Sequence, residues 1–181
     1  MITLRTLNYA IFIFLFLAAL NVVRIFVEFD TFNAVQLNAN RSELKTIIGE
    51  MQKTSDSLFE NIVNTTPVID AFKNAHNAND ADKDIYRKEL YKILLFQYKN
   101  FKKYGIQQLH FHLPNNDSFL RFHKPKKFGD NLTKIRESVR YVNEQKKPTI
   151  GFEEGKIFNG YRFVYPLFDE QRKHIGSVEI S

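Results

Sequence analysis

The sequence predicts an α+β protein: an N-terminal transmembrane helix, a long stalk helix, and a five-stranded antiparallel sheet against which the stalk packs. Three observations predict it. Residues 6–23 carry no charge, the segment after them keeps one apolar seam at helical spacing, and the apolar period falls to two beyond Gly105.

The uncharged run, TLNYAIFIFLFLAALNVV, is bounded by Arg5 and Arg24. As a helix rising about 1.5 Å per residue, it nearly crosses a hydrocarbon layer of roughly 30 Å. Ile25, Phe26 and Val27 add a further turn while Arg24 snorkels toward the headgroups. A secretory signal would have a shorter apolar region and a small-x-small cleavage site. Here Ala18 and Ala19 lead into Leu20 and Asn21 instead. A core helix would carry a polar face, and none appears before Asn21. Residues 1–28 therefore read as an uncleaved, single-pass anchor in contact with membrane lipid. Arg5 and the amino terminus, weighed against Arg24, point the N-terminus into the cytoplasm. The remainder then faces the periplasm or exterior from the inner (cytoplasmic) membrane. The absence of cysteine agrees with export.

The stalk, residues 29–64, reads as a long rod continuous with the membrane segment, which Asp30 can cap, and it places Leu37, Leu44, Met51 and Leu58 seven apart. Ile48 and Ile62 join that seam. It packs on its own sheet or, as a dimer stalk, on a second copy of the chain. Thr65-Thr66-Pro67 ends the rod, and Pro67 suits the first turn of a short helix through Phe72. Residues 74–82, NAHNANDAD, read as a polar loop. A second amphipathic helix turns Tyr86, Leu90, Ile93, Leu94, Phe101 and Tyr104 inward and is capped by Gly105.

Residues 106–113 and 118–123 read as strands joined by the turn Pro114-Asn115-Asn116-Asp117. A helix over 133–144 follows, with Ile135, Val139 and Val142 on one face. The extended runs 149–152, 156–158, 161–168 and 174–180 come next, read together as three strands. Asn159-Gly160 marks a tight hairpin. Residues 65–181 thus form one domain, and 29–181 one folding unit.

Eighteen phenylalanines and eight tyrosines predict an aromatic core. The net charge of +6 is dispersed, and its densest run is His123-Lys124-Pro125-Lys126-Lys127. Such a run is ordinarily a solvated loop, with phosphate or anionic lipid as the functional alternative. Nucleic acid is not expected as a partner of an anchored chain. No G-x-S-x-G, H-E-x-x-H or phosphate-cradling glycine loop occurs, so no enzyme activity is assigned.

A symmetric turn at 114–117 sets Leu113 opposite Ser118 and His110 opposite Arg121. One strand face then carries Leu109, Phe111, Leu113, Leu120 and Phe122. The other carries Gln108, His110, His112, Phe119, Arg121 and His123. This second face suits an anionic or polar small molecule, with Arg121 poised for bidentate contact with a carboxylate or, equally, exposed on a strand. The three imidazoles lack a carboxylate or cysteine at a known metal-site spacing, so neither metal nor cofactor is assigned. In the second hairpin Ile157 is expected opposite Arg162 and Phe158 opposite Tyr161. Glu153 and Glu154 pair with Arg162 or receive a ligand amine, while Tyr165 and Tyr141 either pack or line a pocket. The candidate ligand residues are therefore Arg121, His123, His110, Tyr141, Glu153, Arg162 and Tyr165.

The segments LHFHLPNNDSFLRFHKPKKFGDNL (109–132), KKPTIGFEEGKIFNGYRFVYPLF (146–168) and HIGSVEIS (174–181) resemble the extracytoplasmic Cache, or PAS-like, sensor domains of bacterial receptors. The double Cache modules of two-component histidine kinases, diguanylate cyclases and chemoreceptors are the nearest in texture. The resemblance implies a long helix along a five-stranded PAS-like sheet, a small-molecule ligand, and a role in signal transduction. It also implies further extracytoplasmic structure, a return helix and an output domain, none of which can be assigned within these residues. A membrane-tethered interaction protein or a pilin-like subunit is the alternative, although no prepilin leader is present.

Overall fold

The computed structural model describes residues 4–154 and 159–181. It contains two compact units, Met1–Glu50 and Met51–Ser181. The first unit is helical. Helix α1 spans Leu4–Leu58, and neither proline nor a polar cluster interrupts its N-terminal part. Together with the π-helical stretch Phe59–Val63, it is long and apolar enough to cross a membrane by length and composition. Its most apolar 18-residue window has a mean hydropathy of 2.6.

In the second unit, α2 (Thr66–Asn77) begins after extended Thr65, with Pro67 in its first turn. The expected polar loop over 74–82 is shorter than predicted. Helix α2 runs to Asn77 and α3 spans Asp80–Lys103, leaving Ala78 and Asn79 between them. Asn79 makes this restart possible, because its side-chain oxygen accepts from the Asp82 backbone N–H at 3.0 Å. Leu90, Leu94, Tyr98 and Phe101 form the buried stripe of α3. Tyr104, expected inward, is 78% exposed because it follows the last helical turn.

The sheet comprises β1 (Leu109–His112), β2 (Ser118–Arg121), β3 (Thr149–Glu153), β4 (Gly160–Phe168) and β5 (His174–Ile180). The spatial order is β2-β1-β5-β4-β3, antiparallel throughout. Turn chemistry locates the reversals. Asn116 takes φ +68° between β1 and β2. Between β4 and β5, the Asp169 carboxylate accepts from the backbone N–H groups of Gln171 and Lys173. Helix α4 (Glu137–Gln145) begins later than predicted. Residues 133–136 form a turn region, which leaves Ile135 53% exposed instead of sharing a face with Val139 and Val142.

Alternation along β4 divides the packing. Phe163, Tyr165 and Leu167 join Phe72, Leu90, Leu94, Phe111, Val178 and Ile180 in the core between the sheet and α2/α3. Val164 instead meets Val139 and Val142 of α4 on the opposite face. The second hairpin differs in register from the expectation. Gly151 lies opposite Arg162 and Phe152 opposite Tyr161, so the strand paired with β4 is 149–153. The expected strand at 156–158, with Ile157 and Phe158, falls outside the described residues.

Candidate functional site

The α4-facing side of the sheet is polar where the sequence of each strand alternates. His110 and His112 on β1 lie opposite Glu179 and Ser177 of β5. On the far side of β5, Glu179 pairs in register with Val164, beside Arg162 on β4. Arg121 of β2 lies opposite His110, as the hairpin arithmetic predicted. These side chains share one face and are all buried, Arg162 being 3% exposed and Glu179 1%.

A bulge adjusts the β1–β2 pair. Phe111 pairs with Leu120, yet His112 pairs with Ser118, so Phe119 is the extra residue. The symmetric turn, with Leu113 opposite Ser118, is therefore not formed. The consequence is chemical. Phe119 leaves the histidine face expected for it and packs edge-on to Phe72, with ring centroids 5.4 Å apart. Ser118 takes the vacated direction, and its Oγ lies 2.8 Å from His110 Nε2.

Ion pairs hold the layer together. Arg162 bonds Glu179 through Nη1 and lies 3.2 Å from Glu153 through Nε. Glu153 also accepts from the Ser138 backbone N–H at 2.7 Å, at the start of α4, and has Arg136 Nε 3.9 Å away. The Ser181 hydroxyl donates to Glu179 at 2.8 Å. Arg121 does grip a carboxylate in bidentate fashion, but an internal one: Asp130, at 2.6 and 2.8 Å. That contact holds the Asp130 carboxyl below its ordinary range. Arg121 also donates to the Lys127 carbonyl at 2.9 Å, which ties the basic run to the strand.

The two β1 histidines are neutral. Burial lowers the His112 imidazole to about 3, helped by Arg121, Arg136 and Arg162. Burial also lowers His110 well below its usual value, helped by His112 and Arg121. Their rings meet edge-on, centroids 4.0 Å apart.

The remaining candidates are not buried in this layer. His123 is exposed in the turn after β2, and Tyr141 is exposed on α4. Tyr165 belongs to the opposite face, where it stacks on Phe59 at 4.4 Å and donates to Asp56 at 2.8 Å. Burial raises its phenol. With Gln52, Asp56, Pro148, Thr149 and Ile150 it lines a groove of about 420 Å³. His110, Arg121, Glu153 and Arg162 are thus brought into one layer, while His123 is exposed at its border, Tyr141 is exposed on α4 and Tyr165 lies on the opposite face.

Glu179, Ser177, Asp130 and Arg136 were not among the sequence candidates. The signal for two of them was present, since Ser177 and Glu179 are alternate polar positions interleaved with Val178 and Ile180.

Residues 40–181 match the family model described as the double sensory domain of two-component sensor kinases. A solved domain of a sensory box/GGDEF family protein from Vibrio parahaemolyticus is similar in structure, with a TM-score of 0.43 and 12% identity. The match covers 73% of this chain and 53% of that one, so the chain spans about half the length of that domain. No curated protein matches the sequence. The family model extends from within the long helix through all five strands to the last residue, and the chain accordingly belongs to the double sensory domain family of two-component sensor kinases.

Proposed function

We propose that this chain is the ligand-sensing module of a membrane-bound signal-transduction receptor. Residues 1–28 anchor it in the cytoplasmic membrane, and the Met51–Ser181 unit faces the periplasm or exterior. Its ligand is a small anion, read by the arginines of the α4-facing layer. Any kinase or cyclase activity belongs to an output domain of the receptor.

The observation that carries this reading is that Arg121 and Arg162 of the sheet and Arg136, just before α4, all act on buried His112, and each lies beside a carboxylate of the protein itself. A carboxylate or phosphate ligand offers the same planar or forked acceptor geometry and competes with those internal partners. Arg162 and Glu153 connect the sheet to the start of α4 through Ser138, so an anion taking Arg162 loosens α4 from the sheet. That is a two-state element which a ligand biases by differential affinity.

Thermal shift on the full chain in detergent tests the reading, with a panel of mono- and dicarboxylates, amino acids and inorganic phosphate. One class of anion is expected to raise Tm in a saturable way, and Arg162→Met to abolish the rise. A panel without any saturable shift would reject an anionic ligand.

A further inference from the structure

The sheet joins two histidines to a carboxylate that lies far away in sequence. His110 and His112 sit at i and i+2 of β1, and His110 is the register partner of Glu179 on β5. One donor atom from each of the three lies within 4.8 Å of the other two, and all three residues are buried. In a tetrahedral zinc site with bonds of about 2.0–2.1 Å, ligand atoms stand roughly 3.3 Å apart. Small side-chain rotations therefore close the set.

Each histidine already has the outer partner that a metal ligand uses. His112 Nδ1 is 3.2 Å from Ser177 Oγ, and His110 Nε2 is 2.8 Å from Ser118 Oγ. With those nitrogens donating to the serines, the lone pairs fall on His112 Nε2 and His110 Nδ1. His112 Nε2 is fully buried and has no hydrogen-bond partner in the protein. A buried acceptor of this kind costs free energy unless something satisfies it. Glu179 is supported too, by Arg162 and the Ser181 hydroxyl. Arg162 is also held by Glu153, so Glu179 can share its charge with a cation without stranding the guanidinium.

We propose that His110, His112 and Glu179 bind a divalent transition-metal ion of the zinc class. Two imidazoles and one carboxylate select Zn²⁺, Ni²⁺ or Cu²⁺ over Mg²⁺ and Ca²⁺, which take oxygen ligands. The set also leaves a fourth coordination position open. This inference goes beyond the anion reading and does not depend on it, and its probe is the metal alone.

The test uses the tag-free full chain in detergent, stripped with chelator and titrated with Zn²⁺ by calorimetry. One ion per chain is expected. His112→Ala and Glu179→Gln should each weaken binding at least tenfold, while His123→Ala, on an exposed imidazole, leaves it unchanged. X-ray absorption at the zinc edge of the wild-type chain requires no variant to fold. It should show two imidazoles and oxygen at about 2.0–2.2 Å. No stoichiometric binding at 100 µM Zn²⁺, or an edge spectrum without imidazole ligation, or loss of binding in His123→Ala alone, would each overturn the proposal.

Discussion

Gly176 sits where no side chain fits. It lies on β5 at φ +142°, and a Cβ built there would stand 2.3 Å from the His112 carbonyl and 2.8 Å from the Phe72 ring. The carbonyl belongs to the paired strand and cannot retreat, and Phe72 is fixed by Phe111 and Phe119. Gly176→Ala is therefore expected to cost at least the roughly 1–3 kcal/mol of an overpacked core, read as a lower denaturation midpoint in urea. Arg162 offers the electrostatic counterpart. Removing it alone, as Arg162→Ala, leaves Glu179 buried and unpaired, which costs about 3–5 kcal/mol. The double variant Arg162→Leu/Glu179→Leu should recover most of that loss, and a double-mutant cycle by chemical denaturation measures it. An Arg162→Ala as stable as wild type would mean the pair is not desolvated in solution. Arg121, Arg162 and His110 were legible as site candidates because charged or imidazole side chains stand out in alternating strands. Their partners were not, since Asp130 and Glu179 become neighbours only through loop closure and strand pairing.

Strand β1 holds the two fully buried histidines, and these make stability depend on pH. In the folded protein His110 and His112 are unprotonated, His112 down to about pH 3. In the unfolded chain both titrate near 6.5. Below that value the unfolded state binds more protons, so stability rises with pH there and falls as the medium is acidified from about pH 6.5 toward 3. The urea midpoint should drop between pH 7.5 and pH 5, and His112→Gln should flatten the slope. Equal midpoints for the wild-type chain would contradict neutral burial. The bulge at Phe119 belongs to this scale as well. The turn residues 114–117 were readable as a turn, and the opposition of His110 and Arg121 followed from simple counting. A single inserted residue nevertheless exchanged Phe119 for Ser118 on the polar face. Alternation states which residues share a face only while the ladder is regular. Likewise α3 began earlier than its apolar stripe, because Asn79 caps it and propensity carries the polar turns.

At the scale of the whole molecule, the long helix and the sheet domain meet chemistry of different kinds. Leu37 and Leu44 stand exposed on α1, at the heptad spacing that a partner helix would cover. If the stalk mediates a homodimer, Leu37→Asp/Leu44→Asp should convert a cross-linked dimer to monomer in detergent without lowering the Tm of the Met51–Ser181 unit. A wild-type chain that is already monomeric would remove that role from the seam. Within the sheet domain, Tyr165 links β4 to the last turns of the helix through Asp56 and Phe59. A ligand-driven shift of the sheet would reach the helix by that contact. By itself the sequence determined the uncharged N-terminal run, the heptad seam, the α+β order, the aromatic core and the chemistry of the polar strand face. These are local properties: charge, spacing and period act within one element. Tertiary structure alone decided that Arg121 faces Asp130, that Arg162 faces Glu179 as well as the Glu153 its sequence already suggested, and that Glu179 completes a set with His110 and His112. Strand order and register fix those distances, and they depend on which hydrogen-bond ladder forms between segments well separated along the chain.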